Sequence, residues 1–226
     1  MPQSDYWAIP YVLDTASQIR PRSVLDVGVG IGQYGLQLRQ ILDIGQGRLR
    51  RDEWVTRIDG IELFEGYRNP VWDYFYDAVH IGDCRQFLGD TSQQYDLIVL
   101  CDVIEHFERE EALHLLELLR ARGQWVVVTT PAGHYPQDAV FGNAGEIHRS
   151  EWRMDDFRRL GATVHPIRTT FLAVFPGHGT KLPADSLTRD LPVFFYHTGR
   201  SLAGCAARWL PRMWRARTRW LFGTNR

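Results

Sequence analysis

Apolar positions follow two alternating rhythms along this chain. Short runs with β-strand character occur at Ser23-Val24-Leu25-Asp26-Val27, near Ile58-Asp59-Gly60-Ile61-Glu62, more weakly at Ala78-Val79-His80-Ile81, and at Tyr95-Asp96-Leu97-Ile98-Val99-Leu100. A fifth, Trp125-Val126-Val127-Val128-Thr129-Thr130, is stopped by Pro131. Between them lie stretches with helical spacing. Residues 31–44 carry Leu36, Leu38, Ile41 and Leu42, residues 108–122 carry five leucines between charges, and a third helix runs through Met154, Phe157 and Leu160. Late strands are expected near 164–167 and 171–175, with an extra apolar element at 191–196. Strands alternating with helices predict a mostly parallel sheet covered on both faces. The segment 45–53 reads as a polar insertion and 177–190 as a Gly/Pro/Asp-rich loop. Residues 131–150 carry little periodic pattern, and a loop of that length is commonly functional.

Length and composition narrow the class. The chain has 226 residues, 44% apolar and 23% charged, which suits one large domain with a full core. Its three cysteines, Cys84, Cys101 and Cys205, are too few for a disulfide framework and too scattered for a paired metal motif. No apolar run is long enough to span a bilayer, and Met1-Pro2-Gln3-Ser4-Asp5 lacks a signal-peptide pattern, so a reducing cytoplasm is the expected compartment. The net charge of −1 hides an asymmetry: residues 200–226 hold seven arginines and no acid. That stretch has Leu202, Ala206, Trp209, Met213, Ala216 and Trp220 at helical spacing, interrupted at Pro211. It reads as a basic amphipathic extension that either docks on the acidic body or lies on an anionic membrane surface. RNA binding through it ranks lower, because the body is not basic.

The strongest chemical signal is Asp26-Val27-Gly28-Val29-Gly30-Ile31-Gly32-Gln33-Tyr34-Gly35, which follows a strand and opens a helix. Glycines there let a ligand approach the backbone, and the helix N-terminus offers unpaired N–H groups. Gly30 to Gly35 fits the dinucleotide pattern G-x-G-x-x-G, so a nicotinamide-dependent oxidoreductase is one reading. Asp26 argues for another. An acid two residues before the first glycine repels a pyrophosphate but favours a ligand carrying an ammonium and a sulfonium.

The stretch from Asp26 to Gly32 resembles the first motif of the class I S-adenosylmethionine-dependent methyltransferases, an acid-x-Gly-x-Gly-x-Gly turn. Gly60-Ile61-Glu62, Gly82-Asp83-Cys84, and Tyr95-Asp96-Leu97-Ile98 continued by Asp102-Val103-Ile104-Glu105-His106-Phe107 resemble the family's later motifs, over roughly residues 20–175. The resemblance implies a doubly wound, Rossmann-like α/β fold with a mostly parallel, seven-stranded sheet. It places a methyltransferase domain at 1–199 and leaves the basic amphipathic tail at 200–226. It implies S-adenosylmethionine as cofactor, with Asp26, Gly28, Gly30 and Gly32 around its methionine part, Glu62 on the ribose, Asp83 near adenine, and Asp102 also in the cofactor site. Asp59 rivals Glu62, because the 45–53 insertion lengthens the gap after the glycine turn. A non-catalytic protein that keeps the cofactor fold is a further alternative.

The acceptor is expected to be a small molecule or a glycan, methylated at oxygen. A hydroxyl nucleophile needs help losing its proton, which suits histidine. His148, in the long loop before the Met154 helix, is the leading candidate base, and His106, after the fourth strand, is second. No metal site is expected, since neighbours such as Asp102, Glu105 and His106 on one corner rarely point together. Nucleic-acid amine methylation is disfavoured: Cys101-Asp102-Val103-Ile104 stands where that branch has an Asn/Asp-Pro-Pro-aromatic turn.

Overall fold

The structure is a computed structural model that describes residues 4–177 and Thr180. These residues fall within one compact unit, 1–191. The basic tail at 200–226, its membrane contact, and the apolar element at 191–196 lie outside the described residues.

The strands are β1 (Ser23–Val27), β2 (Arg57–Glu62), β3 (Ala78–Ile81), β4 (Tyr95–Cys101), β5 (Gly123–Pro131), β6 (Thr163–Ile167) and β7 (Thr170–Pro176). The helices are α1 (Ile9–Ile19), α2 (Gln33–Leu42), α3 (Pro70–Phe75), α4 (Cys84–Asp90), α5 (Arg109–Arg122) and α6 (Met154–Arg159). One seven-stranded sheet has the order β3-β2-β1-β4-β5-β7-β6. β1 to β5 pair in parallel, and β7 runs antiparallel to both its neighbours. The alternation of strands and helices predicts the mostly parallel sheet, and the doubly wound, seven-stranded arrangement is the one the family resemblance implies.

Strand periodicity explains the two cores. In β5, Trp125 and Val127 face one side while Val126 and Val128 face the other, and both sides are buried. The first core gathers Val12 and Ala16 of α1, Leu38 of α2 and Trp72 of α3. The second gathers Leu88 of α4, Leu115 and Leu119 of α5, and Phe157 of α6. The α3 and α4 helices are too short to leave a periodic signature. Their starts are set by side chains: Asn69 accepts from the Val71 N–H and Asp83 from the Arg85 N–H, each at 2.8 Å.

The 45–53 insertion is tied down rather than loose. Two 3-10 turns, Ile44–Gln46 and Arg51–Glu53, flank a network around the fully buried Arg39. Arg39 pairs with Asp43 at 2.7 Å and Asp77 at 3.0 Å, and donates to the Thr56 carbonyl. Asp43 in turn accepts from Arg48 and the Val55 N–H. These donors hold the Asp43 carboxyl below its ordinary pKa against the opposing effect of burial. The network fastens the end of α2 to the start of β2.

The sheet reverses direction at β1, which has β2 on one side and β4 on the other. Loops leaving the C-terminal ends of β1 and β4 diverge there and open a crevice, the usual ligand position in open α/β sheets. Replacing Arg39 by Ala removes one of the two cations on Asp43 and leaves a void at a fully buried position, and unfolding in urea should show a loss of about 1–3 kcal/mol. A loss below about 1 kcal/mol would show that the network is dispensable.

Candidate active site

The crevice holds a cavity of about 250 Å³. Gly28 and Gly30 of the turn after β1 line its floor, while Gly32 packs against Val71 without lining it, and the three have φ of 84°, 53° and 87°. L side chains avoid that region. Space is also lacking: a Cβ at Gly28 would lie 2.4 Å from Val103 Cγ2, and one at Gly32 2.8 Å from Val71 Cγ1. Trp72 Nε1 donates to the Gly30 carbonyl at 2.9 Å, fixing the turn from behind.

Glu62, at the end of β2, lines the cavity. It accepts from the Gly30 N–H at 2.8 Å through one oxygen and from the Phe64 N–H at 2.9 Å through the other. Burial pushes its carboxyl above the ordinary range, and these backbone donors oppose the shift. Each oxygen keeps a lone pair for a further donor. Its rival Asp59 is fully buried but engaged elsewhere, with Arg57 at 2.8 Å and the Tyr95 hydroxyl at 3.0 Å. Asp26 does not reach the cavity surface and is only 1% exposed. Its Oδ2 accepts from the Tyr76 hydroxyl at 2.6 Å.

Asp83 caps α4 and lines the cavity, paired with Arg85 at 2.6 Å. That pairing holds its carboxyl below the usual range. Asp102, also on the wall, adopts φ 53° just past β4. Its carboxylate accepts from the Asp5 N–H at 2.8 Å and the Thr129 hydroxyl at 3.2 Å. Ser4 donates to the Cys101 carbonyl at 3.2 Å and lines the cavity, so the N-terminal segment crosses the open end of β4. Burial raises the Asp102 carboxyl.

The two candidate bases come together, with ring centroids 5.0 Å apart. His106 lies on the cavity wall, whereas His148 packs against it without lining the cavity. His106 Nδ1 faces the Ile147 carbonyl at 3.3 Å and His148 Nδ1 the Tyr135 carbonyl at 2.5 Å. A carbonyl only accepts, so in each neutral ring Nδ1 carries the hydrogen and Nε2 the lone pair. Burial lowers both pKa values and favours those neutral forms.

Glu105 joins them. Atoms of Glu105, His106 and His148 able to bind a metal lie within 4.8 Å of one another. The expectation that neighbours on this corner would not converge therefore fails for Glu105 and His106. After the left-handed Asp102, a 3-10 turn at Ile104–His106 aims both inward. Glu105 is buried, accepts from the Thr130 hydroxyl at 3.0 Å, and is raised well above the carboxylate range by desolvation. Its carbonyl accepts from the N–H groups of Arg149 and Ser150, which anchors the loop carrying His148.

That loop forms a cavity wall through Asn143, Gly145, Glu146 and Arg149. Tyr67, after β2, donates to Glu146 at 2.9 Å and accepts from Asn143 at 3.2 Å, joining the loops of β2 and β5. Tyr67 and Tyr76 left no sequence signal, because neither belongs to a motif and each acts across a long separation. His134 is exposed beside Glu151, away from this wall.

A doubly wound sheet, a left-handed glycine turn, and an acid at the end of the second strand define a methyltransferase-type nucleotide crevice. The model of the methyltransferase domain family matches residues 8–191, and the chain belongs to that family, within the class I S-adenosylmethionine-dependent methyltransferases. Its cofactor is S-adenosylmethionine. A small RNA 2′-O-methyltransferase of Tetrahymena thermophila is 25% identical over 155 residues, covering 54% of this chain but only 37% of that protein. An O-methyltransferase family protein from Burkholderia thailandensis superposes with a TM-score of 0.53 at 14% identity, over 75% of this chain and 55% of that one. The methyltransferase domain of bacterial CtHen1-CN gives 0.51 at 17% identity, over 75% and 97%. At such identities these structural likenesses establish the fold.

Gly28→Ala combines a left-handed residue, costing about 1–2 kcal/mol, with a clash against Val103. It should lower the urea midpoint and weaken binding of S-adenosylhomocysteine about tenfold or more, the ~1.4 kcal/mol of one displaced contact. Wild-type affinity in calorimetry would remove the turn from the binding site.

Proposed function

We propose that this chain transfers the methyl group of S-adenosylmethionine to a hydroxyl of a small-molecule or glycan acceptor. The observation that carries the reading is the histidine pair, with His106 on the cavity wall and both Nδ1 atoms anchored to backbone carbonyls. When bound, the cofactor supplies an electrophilic methyl on a sulfonium.

Gly28, Gly30 and Gly32 receive the methionine part, with Asp26 behind them. Glu62 accepts the ribose hydroxyls through its remaining lone pairs, and Asp83 flanks the adenine region. Asp102 holds the N-terminal segment over the methionine end. The glycine turn fits such a ligand, since Gly28 and Gly30 line the cavity with no side chain of their own. With the cofactor bound, the methyl carbon would pass from sulfur to the acceptor oxygen, and a histidine would take the proton of that hydroxyl. His106 is placed ahead of His148 for that role because it faces the cavity. The loop wall of Asn143 and Glu146 then orients the acceptor and excludes water.

A second reading rests on the convergence of Glu105, His106 and His148. One carboxylate and two imidazoles suit a divalent cation, which would lower the pKa of a bound hydroxyl in place of a base. Activity that survives chelation keeps the base. Activity lost with EDTA and restored by Mn²⁺ or Mg²⁺ moves the three side chains to metal ligation.

Glu62→Ala should weaken S-adenosylhomocysteine binding by the ~1.5–3 kcal/mol of charge-assisted bonds, whereas Asp59→Ala should affect folding more than affinity. The opposite pattern in calorimetry transfers the ribose role to Asp59.

His106→Ala and His148→Ala should each lower turnover by ~10²–10⁴ with S-adenosylhomocysteine affinity retained. Acceptors for that assay span sugars, phenols, carboxylates and a short RNA with free 2′-hydroxyls. Methylation of the RNA alone would overturn the small-molecule or glycan assignment, and unchanged turnover in both variants would leave alignment as the whole mechanism.

A further inference from the structure

Asp26 sits where a carboxylate is hard to keep charged. It is second from the end of β1, paired in register with Gly60 of β2 and Val99 of β4, and almost completely buried. Among the described residues no cation pairs with it. The titratable groups facing it are the Tyr76 hydroxyl, Glu62 on β2 and the Cys101 thiol on β4, and none of them supplies positive charge.

Its hydrogen-bond partner is built in with unusual care. Tyr76 caps α3, and its ring passes between α2 and β2 through a slot left by two glycines. A Cβ at Gly35 would lie 2.1 Å from Tyr76 Cζ, and one at Gly60 3.1 Å from Tyr76 Cδ1. At the end of the slot the hydroxyl donates to Asp26 at 2.6 Å and accepts from the Gly35 N–H at 2.9 Å. The phenol thus links the carboxyl beneath the glycine turn to the first turn of α2. No other side chain or backbone group offers Asp26 a side-chain hydrogen bond among those described.

We infer that Tyr76 is a positioning residue that holds Asp26 ready to serve as counter-charge to the bound cofactor, so that binding S-adenosylmethionine expels a proton from the Asp26 carboxyl. This rests on the cofactor placement above. A buried acid with one neutral donor and no cation gains most from a ligand that brings positive charge to the far side of the glycine turn. S-adenosylmethionine brings a sulfonium and an ammonium. S-adenosylhomocysteine keeps the ammonium but has lost the sulfonium charge. The same carboxyl therefore distinguishes the two: once the methyl leaves, its hold on the ligand weakens and the proton returns. The charge change on sulfur becomes a difference in affinity that favours exchange of product for fresh cofactor.

Burial, opposed by the Tyr76 bond and reinforced by Glu62, raises the Asp26 pKa to about 7. The sign follows. Below that value the free protein holds the proton and binding must displace it, so affinity falls as pH falls. Well above it Asp26 is already ionised, and the dependence flattens.

The test is calorimetry with S-adenosylmethionine and S-adenosylhomocysteine, from pH 6 to 8, in phosphate and in Tris. Wild-type protein should release a fraction of a proton near pH 7, visible as a buffer-dependent enthalpy. Its affinity for S-adenosylmethionine should rise with pH by up to about tenfold per unit below the midpoint, and that for S-adenosylhomocysteine less steeply. Tyr76→Phe keeps the ring but removes the bond that favours the charged form, so the midpoint should move to higher pH. Asp26→Asn should lose this component while retaining any contribution of His106 and His148. The inference is overturned if wild-type enthalpies are buffer-independent, if the two ligands give the same profile, or if Tyr76→Phe titrates like wild type. The wild-type measurements stand even if a variant does not fold. Failure of wild-type protein to bind either ligand would instead overturn the cofactor reading.

Discussion

The site depends on a backbone path with no room for side chains. At the end of β1 the chain passes through three left-handed glycines, and Val103 and Val71 press into the space where the Cβ atoms of Gly28 and Gly32 would lie. That contact couples the turn after β1 to the segment after β4 and to α3. Because β1 and β4 are neighbours at the point where the strand order reverses, their diverging loops meet over one crevice. Glu62 accepts the Gly30 N–H across this junction, so β2 is bound to the same geometry.

The second constraint is electrostatic. The crevice gathers Glu62, Asp83, Asp102 and Glu146 on its wall, with Asp26 and Glu105 buried behind it. Burial alone would neutralise such acids, and the structure answers each differently. Glu62 and Asp102 take backbone N–H donors, Asp83 takes Arg85, Glu105 takes a threonine hydroxyl, and Asp26 takes a phenol. The Arg85 guanidinium holds Asp83 below its ordinary pKa, whereas burial raises Glu62, Asp102, Glu105 and Asp26. Burial without a cationic partner is what raises a carboxyl in this way. This distinguishes the crevice from a pyrophosphate site, where the same carboxylates would be repulsive.

The loop after β5 shows how distant segments share one task. It is anchored from two directions, by the Glu105 carbonyl on one side and by Tyr67 on the other. Its two anchors place His148 against His106 and close the cavity with Asn143 and Glu146. A loop with little internal pattern is thereby held by side chains that belong to other elements, which is why its sequence carries so little structural signal.

The alternation of apolar runs determined the layered fold, because a strand buried on both faces and an amphipathic helix each write their period into the local sequence. The glycine turn and Glu62 were legible for a related reason: a left-handed turn and a strand-end acid are requirements of a few consecutive residues. Several features belong only to the folded chain. Asp59 and Glu62 lie three residues apart, and the partners Arg57 and Tyr95 decide that Asp59 is occupied elsewhere while Glu62 faces the cavity. His106 and His148, 42 positions apart in the chain, meet through the Glu105 carbonyl. The slot that brings Tyr76 to Asp26 needs two glycines on two different elements. Local propensity and periodicity determine what a segment becomes. Which side chain fills a given space, and which carboxylate stays without a cation, is decided by contacts between segments far apart in the chain, and those exist only once the sheet has assembled.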